Sequence, residues 1–379
     1  MRYYLSDGFV LKWLETPSVY DIKGDELYEL DDDAFEFLKK STSEGAEAEY
    51  ADKEFIDFCL SEGILTEKAV NVKRPIITKS PTPSLRYLEL QITDKCNLKC
   101  GHCYIGKPKN NEISPDKIKI VLDEFEEMQG LRLLITGGEP LMHSRFNEIN
   151  LLLPEYNFRK ILFTNGLLLN EKVLKGLNAD EIQFSVDGME RGHEAIRGKG
   201  TYKIVMKKIH EAIDAGIIVS IATMVHGRNI DEFDEMDDIF RKIGIKDWTV
   251  DVPCVSGNLK ENHIFQVPPE IAGRYLNYGF GGGLHGGGEG FACGLHLMSA
   301  LADGNICKCA FYSHTPVGNI SEGLRKSWQR IMPVKLDELE CSDISCRFID
   351  ECRGGCRFRA EDSRKKDLYK CHGYDIMKT

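Results

Sequence analysis

Residues 93–106 read TDKCNLKCGHCYIG and follow the apolar segment YLELQI at 87–92. The three cysteines of this segment have the spacing C-x3-C-x2-C: Cys96, Cys100 and Cys103. Three thiolates at this spacing can bind three irons of a four-iron cluster and leave the fourth iron open to a cosubstrate. A structural zinc ion would need a fourth ligand, and His102 is the nearest candidate, although its place beside Cys103 favours a side chain that points away. The segment therefore predicts an open iron–sulfur site.

Short apolar segments alternate with amphipathic helical patterns between residues 86 and 253, which is typical of repeated βα units. Six strands are predicted, at 87–92, 131–136, 160–164, 181–186, 217–223 and 248–252. Six such units predict an α/β fold in which a parallel sheet curves into a partial (βα)6 barrel. In a barrel of this kind the loops after the carboxyl ends of the strands build the site, and the three cysteines lie in the first of these loops.

Two further polar segments follow predicted strands of this barrel. GGEP at 137–140 follows the second strand, where glycines would allow a close backbone approach and the carboxylate would suit an ammonium group. Ser185 and Asp187 end the fourth strand, and Arg197 lies in a glycine-flanked segment after it. An ordinary strand-to-helix turn would also explain the glycines, and a solvated surface charge would also explain Arg197.

In this order the segments resemble the motifs of the radical S-adenosylmethionine (SAM) superfamily. The resemblance implies a 4Fe–4S cluster on Cys96, Cys100 and Cys103, whose reduced form cleaves bound SAM to a 5'-deoxyadenosyl radical that abstracts a substrate hydrogen. It also implies that SAM is contacted by a set of residues: Tyr104, Gly137, Gly138, Glu139, Ser185 and Arg197. No catalytic residue beyond the cluster ligands is assigned.

The composition of the 379-residue chain is that of an ordinary globular protein, with 42% hydrophobic and 29% charged residues, and its length predicts two or three folded units. The formal net charge of -11 disfavours a nucleic-acid surface. The N-terminus has no secretory pattern, and no apolar stretch approaches the roughly 20 residues that span a bilayer. We therefore expect a cytoplasmic protein with no membrane partner, in which the thirteen cysteines serve as metal ligands rather than disulfides.

Nine of the cysteines lie in a C-terminal unit, residues 254–379. Their spacing, together with Gly304, resembles the SPASM extension of peptide-modifying radical SAM enzymes, although four residues rather than two separate Cys341 from Cys346. The resemblance implies two auxiliary 4Fe–4S clusters, a distal one on Cys341, Cys346, Cys352 and Cys371 and a nearer one on Cys293, Cys309 and Cys356. The fourth position of the nearer cluster is either open or filled by Cys307, with Cys254 as a further candidate.

Two segments are predicted to be irregular. The sequence GFGGGLHGGGEG at 279–290 lacks the Gly-Lys-Ser/Thr ending of a phosphate-binding loop, so it predicts a mobile loop. Residues 71–85 hold three prolines and few periodic apolar positions, so a linker is predicted over 76–85.

Residues 1–75 are predicted to form a small separate unit of three strands and two helices, which begin near Asp31 and Asp52, with Cys59 in the core. This order resembles the winged-helix-like peptide-recognition element of enzymes that mature ribosomally made peptides. A DNA-binding winged helix is the alternative, but the unit has 18 acidic against 9 basic residues, a poor match to phosphate. The resemblance implies that a precursor peptide adds a strand to the exposed edge of the hairpin.

Together these resemblances predict a radical SAM enzyme that acts on a precursor peptide and forms a thioether or carbon–carbon cross-link, with a flavodoxin- or ferredoxin-type reductant as partner. Two alternatives stay open. One is a SPASM enzyme with another substrate, such as a haem-pathway decarboxylase or a sulfatase-type protein maturase. The other is a multi-cluster electron-transfer protein, which would have no need of the GGEP segment at 137–140.

Overall fold

The computed structural model describes residues 1–283, 288–360 and 362–374. The central four residues of the glycine-rich segment, for which a mobile loop is predicted, lie outside these ranges. Within these ranges no helix is both long enough and apolar enough to cross a membrane.

The N-terminal unit contains two small antiparallel sheets and two helices. Its elements are β1 (Arg2–Leu5), β2 (Phe9–Trp13), β3 (Pro17–Asp21), β4 (Glu26–Glu29), α1 (Asp32–Ser41), β5 (Ala46–Glu47), α2 (Lys53–Ser61) and β6 (Leu65–Thr66). The sheets have the orders β5–β1–β6 and β2–β3–β4. The side chains of Asp31 and Asp52 cap the two helices as predicted, and Cys59 is fully buried. The short strands β1, β5 and β6 were not predicted.

The centre of the molecule is a partial barrel of six parallel strands with helices on its outer face. Its elements are β7 (Tyr87–Thr93), α3 (Pro115–Glu127), β8 (Arg132–Gly137), α4 (Phe146–Leu152), β9 (Arg159–Thr164), α5 (Glu171–Gly176), β10 (Glu181–Ser185), α6 (Glu190–Arg197), α7 (Thr201–Asp214), β11 (Ile218–Met224), α8 (Phe233–Lys242) and β12 (Asp247–Asp251). The strands are neighbours in chain order from β7 to β12, and each starts within one residue of its prediction. The α/β barrel prediction is therefore confirmed.

The C-terminal unit continues the sheet of the barrel, which was not predicted. Its elements are α9 (Pro269–Ala272), β13 (Leu297–Ala300), β14 (Asn305–Cys307), β15 (Gly318–Asn319), α10 (Leu324–Trp328), α11 (Glu340–Asp343), α12 (Ile349–Cys352) and α13 (Leu368–Gly373). Strand β13 pairs in parallel with β7, with Leu297 opposite Tyr87, and β14 and β15 follow in antiparallel order. Short 3-10 turns connect the elements at Ala48–Tyr50, Pro140–Met142, Leu153–Glu155, Gly257–Lys260, His263–Phe265, Gly273–Asn277, Ala310–Tyr312 and Leu336–Glu338.

Alternation along the strands separates an apolar outer face from a polar inner face. On β7, Leu88 and Leu90 pack outward in one core with Ile118 of α3, so Glu89 between them points inward. Several inward side chains remain half-buried, most of them near the carboxyl ends of the strands and Glu89 nearer the middle of β7, which indicates an accessible interior. We call this interior the lumen and define it by Glu89, Phe163, Ser185, Ala222, Met224, Thr249 and Asp251.

The turn between β3 and β4 fixes the N-terminal unit to the opposite end of the barrel. The Asp25 carboxylate accepts a 2.8 Å hydrogen bond from Arg132 Nε and lies 3.5 Å from Arg159 Nε, at the first residues of β8 and β9. The buried Lys12 ammonium donates a 2.8 Å hydrogen bond to the Gly130 carbonyl. The N-terminal unit is therefore held against the barrel by buried polar contacts.

Candidate active site

The three cysteines at 96, 100 and 103 lie in the loop that leaves the carboxyl end of β7. The Leu98 N–H donates to Cys96 Sγ at 3.4 Å, and Arg197 Nη1 donates to Cys100 Sγ at 3.9 Å. Burial raises the pKa of Cys96 to about 11, so metal binding must displace its proton. Hydrogen bonds to sulfur are among the features that tune iron–sulfur clusters. The donor set therefore fits a thiolate-bound cluster.

The same thiols do not form a site for one metal ion. Across residues 1–283, 288–360 and 362–374, no three His, Cys, Asp or Glu side chains converge closely enough to hold a single ion. A zinc ion would need all of its thiolates at about 2.3 Å from one point. A four-iron cluster offers a separate iron to each thiolate, so it accommodates more widely spaced sulfurs.

The glycines of the GGEP segment pack against the backbone that leads into the cysteine loop. A Cβ atom at Gly137 would lie 2.7 Å from the Thr93 carbonyl oxygen, and one at Gly138 would lie 2.6 Å from the Asp94 carbonyl oxygen. The Gly138 N–H donates a 2.8 Å hydrogen bond to the same Thr93 oxygen. These glycines were predicted to let another group approach the backbone closely. In the structure the group that approaches them is the backbone of the cysteine loop.

Glu139 joins the carboxyl ends of β8 and β9. Its fully buried carboxylate accepts 2.8 Å hydrogen bonds from Thr164 Oγ1 and the Asn165 N–H, and a longer one from the Leu141 N–H. Burial raises the pKa of Glu139 to about 7, although these three donors oppose the rise. The carboxylate thus shapes the rim of the lumen beside the cysteines.

Arg197 is buried against the cysteine loop and is therefore not a solvated surface charge. Its side chain is 11% exposed, and its Nε donates a 2.6 Å hydrogen bond to the fully buried Asp187 carboxylate. Burial raises the pKa of Asp187, but three neighbours, Arg197, His102 and His226, together lower it by more. The pKa of Asp187 therefore lies below its usual range. The arginine is held in one place beside Cys100.

Unpartnered polar atoms surround this arginine and line the inner face of the barrel. In the described part of the chain, four buried side-chain atoms on these surfaces have no hydrogen-bond partner: His102 Nδ1, His193 Nε2, Thr136 Oγ1 and Gln183 Nε2. Burial lowers the pKa of His102 to about 4 and that of His193 to about 3, so both rings are neutral at pH 7. Buried polar groups normally have partners, so these atoms fit a polar cosubstrate. Thr136 and Gln183 were missed, although their inward strand positions could have identified them.

Tyr104 and Ser185 are the remaining two residues of the predicted SAM-contact set. Ser185 is half-buried at the end of β10. The Tyr104 phenol donates to Glu89 Oε1 at 3.5 Å, and its ring lies 5.2 Å from that of Phe311. Tyr104 thus extends from the cysteine loop toward the C-terminal unit.

The C-terminal cysteines form two groups, and Cys254 belongs to the first. A hydrogen bond from the Cys254 thiol lowers the pKa of Cys356 to about 7. Burial raises the pKa of Cys293 to about 11, with Cys356 adding to the effect, and Cys356 and Cys293 act in the same direction on Cys309. In the second group, burial raises the pKa of Cys371 to about 12, reinforced by three nearby thiols: Cys341, Cys352 and Cys346.

Cys307 lies apart from both groups. It is the last residue of β14, is fully buried and packs with Leu301 and Ala310. Burial raises its pKa to about 11, and the charged groups that add to the rise are the carboxylates of Asp303 and Glu89 rather than other thiols. The structure thus brings Cys254, not Cys307, to the nearer group of cysteines.

Comparison with known proteins finds similar sequences over the segment that contains the three cysteines. Residues 90–240 match the sequence profile of the radical SAM superfamily. The chain is 26% identical over 302 residues to the mycofactocin maturase MftC of Mycolicibacterium smegmatis, which covers 71% of this chain and 77% of that protein. It is 31% identical over 153 residues to the sporulation killing factor maturation protein SkfB of Bacillus subtilis, covering 39% and 37% of the two chains. The match identifies a radical SAM domain in residues 90–240, and the chain is an enzyme.

A solved structure extends the similarity to the whole fold. Streptococcus suis SuiB, bound to its precursor peptide SuiA, superposes with a TM-score of 0.69 at 14% identity. The match covers 97% of this chain and 99% of SuiB, so it includes both flanking units as well as the barrel.

Proposed function

We propose that this radical SAM enzyme modifies a ribosomally made precursor peptide by abstracting hydrogen from one residue and closing a thioether or carbon–carbon cross-link. The observation that carries the proposal is the whole-chain match to SuiB, whose structure contains a precursor peptide. The similarity to MftC, named a maturase, and to SkfB, named a maturation protein, also supports a peptide substrate. A haem-pathway decarboxylase or an electron carrier would not need the N-terminal unit that is fixed to the barrel.

When bound, the reduced cluster and SAM supply a 5'-deoxyadenosyl radical. Cys96, Cys100 and Cys103 hold the cluster, and Arg197 lies beside Cys100 where it can meet the carboxylate of SAM. The SAM-contact set is completed by Tyr104, Gly137, Gly138, Glu139 and Ser185. The orphaned atoms of Thr136 and Gln183 are placed to bind polar groups in the lumen.

Two auxiliary 4Fe–4S clusters are proposed in a SPASM-like C-terminal unit. The distal cluster uses Cys341, Cys346, Cys352 and Cys371. The nearer cluster uses Cys293, Cys309, Cys356 and, as its fourth ligand, Cys254, because its thiol already contacts Cys356. Iron quantitation should give about twelve irons per chain. These clusters and a flavodoxin- or ferredoxin-type reductant are consistent with a cytoplasmic location, where thiols stay reduced.

The precursor peptide is proposed to dock on the open edge of β4 in the winged-helix-like unit. The other edge of the same sheet is covered, because the Ser80 N–H donates to the Trp13 carbonyl at 2.8 Å. Strand β4 pairs with β3 alone within residues 1–75, all of which are described. Beside it Phe58 is 45% exposed and lies 6.0 Å from the Tyr28 ring.

The charge of this edge favours a basic peptide segment. The acidic groups beside the open strand are Glu26, Glu29 and Glu62, and the first and last of these accept hydrogen bonds from the Tyr28 phenol. Strand addition would supply main-chain hydrogen bonds, and these carboxylates would attract lysine or arginine side chains of the peptide.

The proposed function is tested with the full chain reconstituted anaerobically and supplied with SAM, dithionite and a small peptide encoded beside its gene. Mass spectrometry should find a peptide that has lost two hydrogens, together with 5'-deoxyadenosine. Cys100→Ala should form neither product, because one cluster ligand is lost. Formation of 5'-deoxyadenosine by Cys100→Ala at the parent rate would contradict the site, and an unchanged peptide would contradict the substrate class.

A further inference from the structure

Glu89 is a carboxylate inside the lumen that the SAM and cluster sites do not use. It lies on the inward face of β7 and is half-buried, so part of its side chain remains accessible within the barrel. Ser299 Oγ of β13 donates a 2.6 Å hydrogen bond to Glu89 Oε2, and the Tyr104 phenol donates to Oε1 at 3.5 Å. The Ala310 N–H is a third donor. Glu89 therefore lies where the cysteine loop meets the C-terminal unit.

Two other carboxylates of the lumen and the strands, Asp251 and Glu181, differ from Glu89 because they have cationic partners. Asp251 pairs with Arg359, and Glu181 accepts a 2.6 Å hydrogen bond from Arg159. Among the residues that the structure describes, no lysine, arginine or histidine nitrogen lies within ion-pair distance of Glu89. Asp247 and Glu139 also lack such a partner, but Asp247 begins β12 at the opposite end of the barrel, and Glu139 is fully buried whereas Glu89 is half-buried. Glu89 is thus a carboxylate free to take up a proton near the cysteines.

The titratable groups that face Glu89 are acidic. Tyr104 faces it from the cysteine loop, and Cys307 and Cys309 face it from the C-terminal unit. Burial raises the pKa of Glu89, and its hydrogen bonds from Ser299, Ala310 and Tyr104 oppose the rise. A carboxylate with a raised pKa is a better proton acceptor near neutral pH.

Closing a cross-link releases a proton that must leave the lumen. After hydrogen abstraction, the peptide radical bonds to a second peptide group X–H, so the C–X bond forms, the X–H bond breaks, and one electron and one proton depart. The one-electron oxidant would be the proposed nearer auxiliary iron–sulfur cluster, which Cys254, Cys293, Cys309 and Cys356 would hold. We propose that Glu89 accepts the proton. This inference rests on the proposed peptide-modifying function.

The test compares the unaltered protein with Glu89→Gln and with Glu171→Gln, a surface control whose side chain is 81% exposed. Cross-linked peptide and 5'-deoxyadenosine are measured in the same reactions, and peptide affinity is measured on cluster-free protein. Glu89→Gln should keep 5'-deoxyadenosine formation and peptide affinity within about twofold, while cross-linked peptide per 5'-deoxyadenosine falls about tenfold or more, as for loss of a general base. Glu171→Gln should keep the parent ratio.

A second variant keeps the inference testable if Glu89→Gln does not retain iron. Ser299→Ala removes a donor that lowers the pKa of Glu89, so the pH midpoint of the cross-linking ratio should rise by about one pH unit. Three results would overturn the inference. The first is an unchanged ratio of cross-linked peptide to 5'-deoxyadenosine in Glu89→Gln, and the second is a loss of peptide affinity in that variant that accounts for its smaller yield of cross-linked peptide. The third is an unchanged pH midpoint of the same ratio in Ser299→Ala. By contrast, 5'-deoxyadenosine without modified peptide from the unaltered protein would overturn the proposed function itself.

Discussion

Asp187→Asn should destabilise the protein because it leaves the Arg197 guanidinium buried without its carboxylate partner. The Asp187 side chain is fully buried and that of Arg197 is 11% exposed. Breaking a buried pair by removing one partner costs about 3–5 kcal/mol. In a chain of this size each kcal/mol changes Tm by about 2 °C, so the Tm of the cluster-free protein should fall by roughly 6–10 °C.

The pH dependence of this loss follows from the lowered pKa of Asp187. The carboxylate is held below its usual pKa in the folded protein, so its contribution is fully present above the unfolded pKa of about 3.9 and is lost as the pH falls through the folded value. The difference in Tm between the variant and the parent should be constant from about pH 5 to pH 8 and should shrink in stronger acid.

Differential scanning fluorimetry with two further variants checks the reasoning. Asp231→Asn breaks the exposed pair with Arg191, whose two side chains are 64% and 63% exposed, and should change Tm by less than about 2 °C. Asp187→Asn combined with Arg197→Met should recover part of the loss, since no unpaired charge stays buried. A Tm for Asp187→Asn within about 2 °C of the parent would refute the buried-pair account.

Three other predictions concern the clusters and the peptide. Gly138→Ala should lower iron incorporation, because its Cβ would meet the backbone carbonyls that lead into the cysteine loop; iron content equal to the parent would argue against this contact. Cys254→Ser should change the electron paramagnetic resonance spectrum of the nearer auxiliary cluster, whereas Cys307→Ser should not, and the reverse result would restore Cys307 as the ligand. Glu29→Lys should weaken binding of a basic precursor peptide by about fivefold in low salt and less at high salt, measured by fluorescence anisotropy; unchanged affinity would contradict docking at β4.

Local pattern was sufficient to predict the barrel strands and the helix starts. Each strand from β7 to β12 is a short apolar run between polar turns, and Asp31 and Asp52 are recognisable caps because capping depends on neighbours in sequence. The glycines at 137 and 138 were expected to allow a close backbone approach to a ligand, and in the structure they approach the cysteine loop, a partner that the local pattern did not identify.

Contacts between distant segments could not be predicted in the same way. Strand β13 has four residues and becomes a barrel strand because it pairs with β7, more than 200 residues earlier in the chain. Cys307 lies two residues from Cys309 but is turned into an apolar core, while Cys254 reaches Cys356 from the end of the barrel. Glu89 reads as one of three alternating polar residues of β7, with Gln91 and Thr93, until the fold brings Ser299 to it.

Deuterium transfer from peptide to 5'-deoxyadenosine tests the central claim most directly. The reconstituted full chain would be incubated with SAM, dithionite and the neighbouring precursor peptide carrying deuterium at its carbon-bound positions. Hydrogen abstraction from the peptide predicts 5'-deoxyadenosine that contains one deuterium, formed together with cross-linked peptide. Unlabelled 5'-deoxyadenosine formed in the same yield, with the peptide unchanged, would contradict the account.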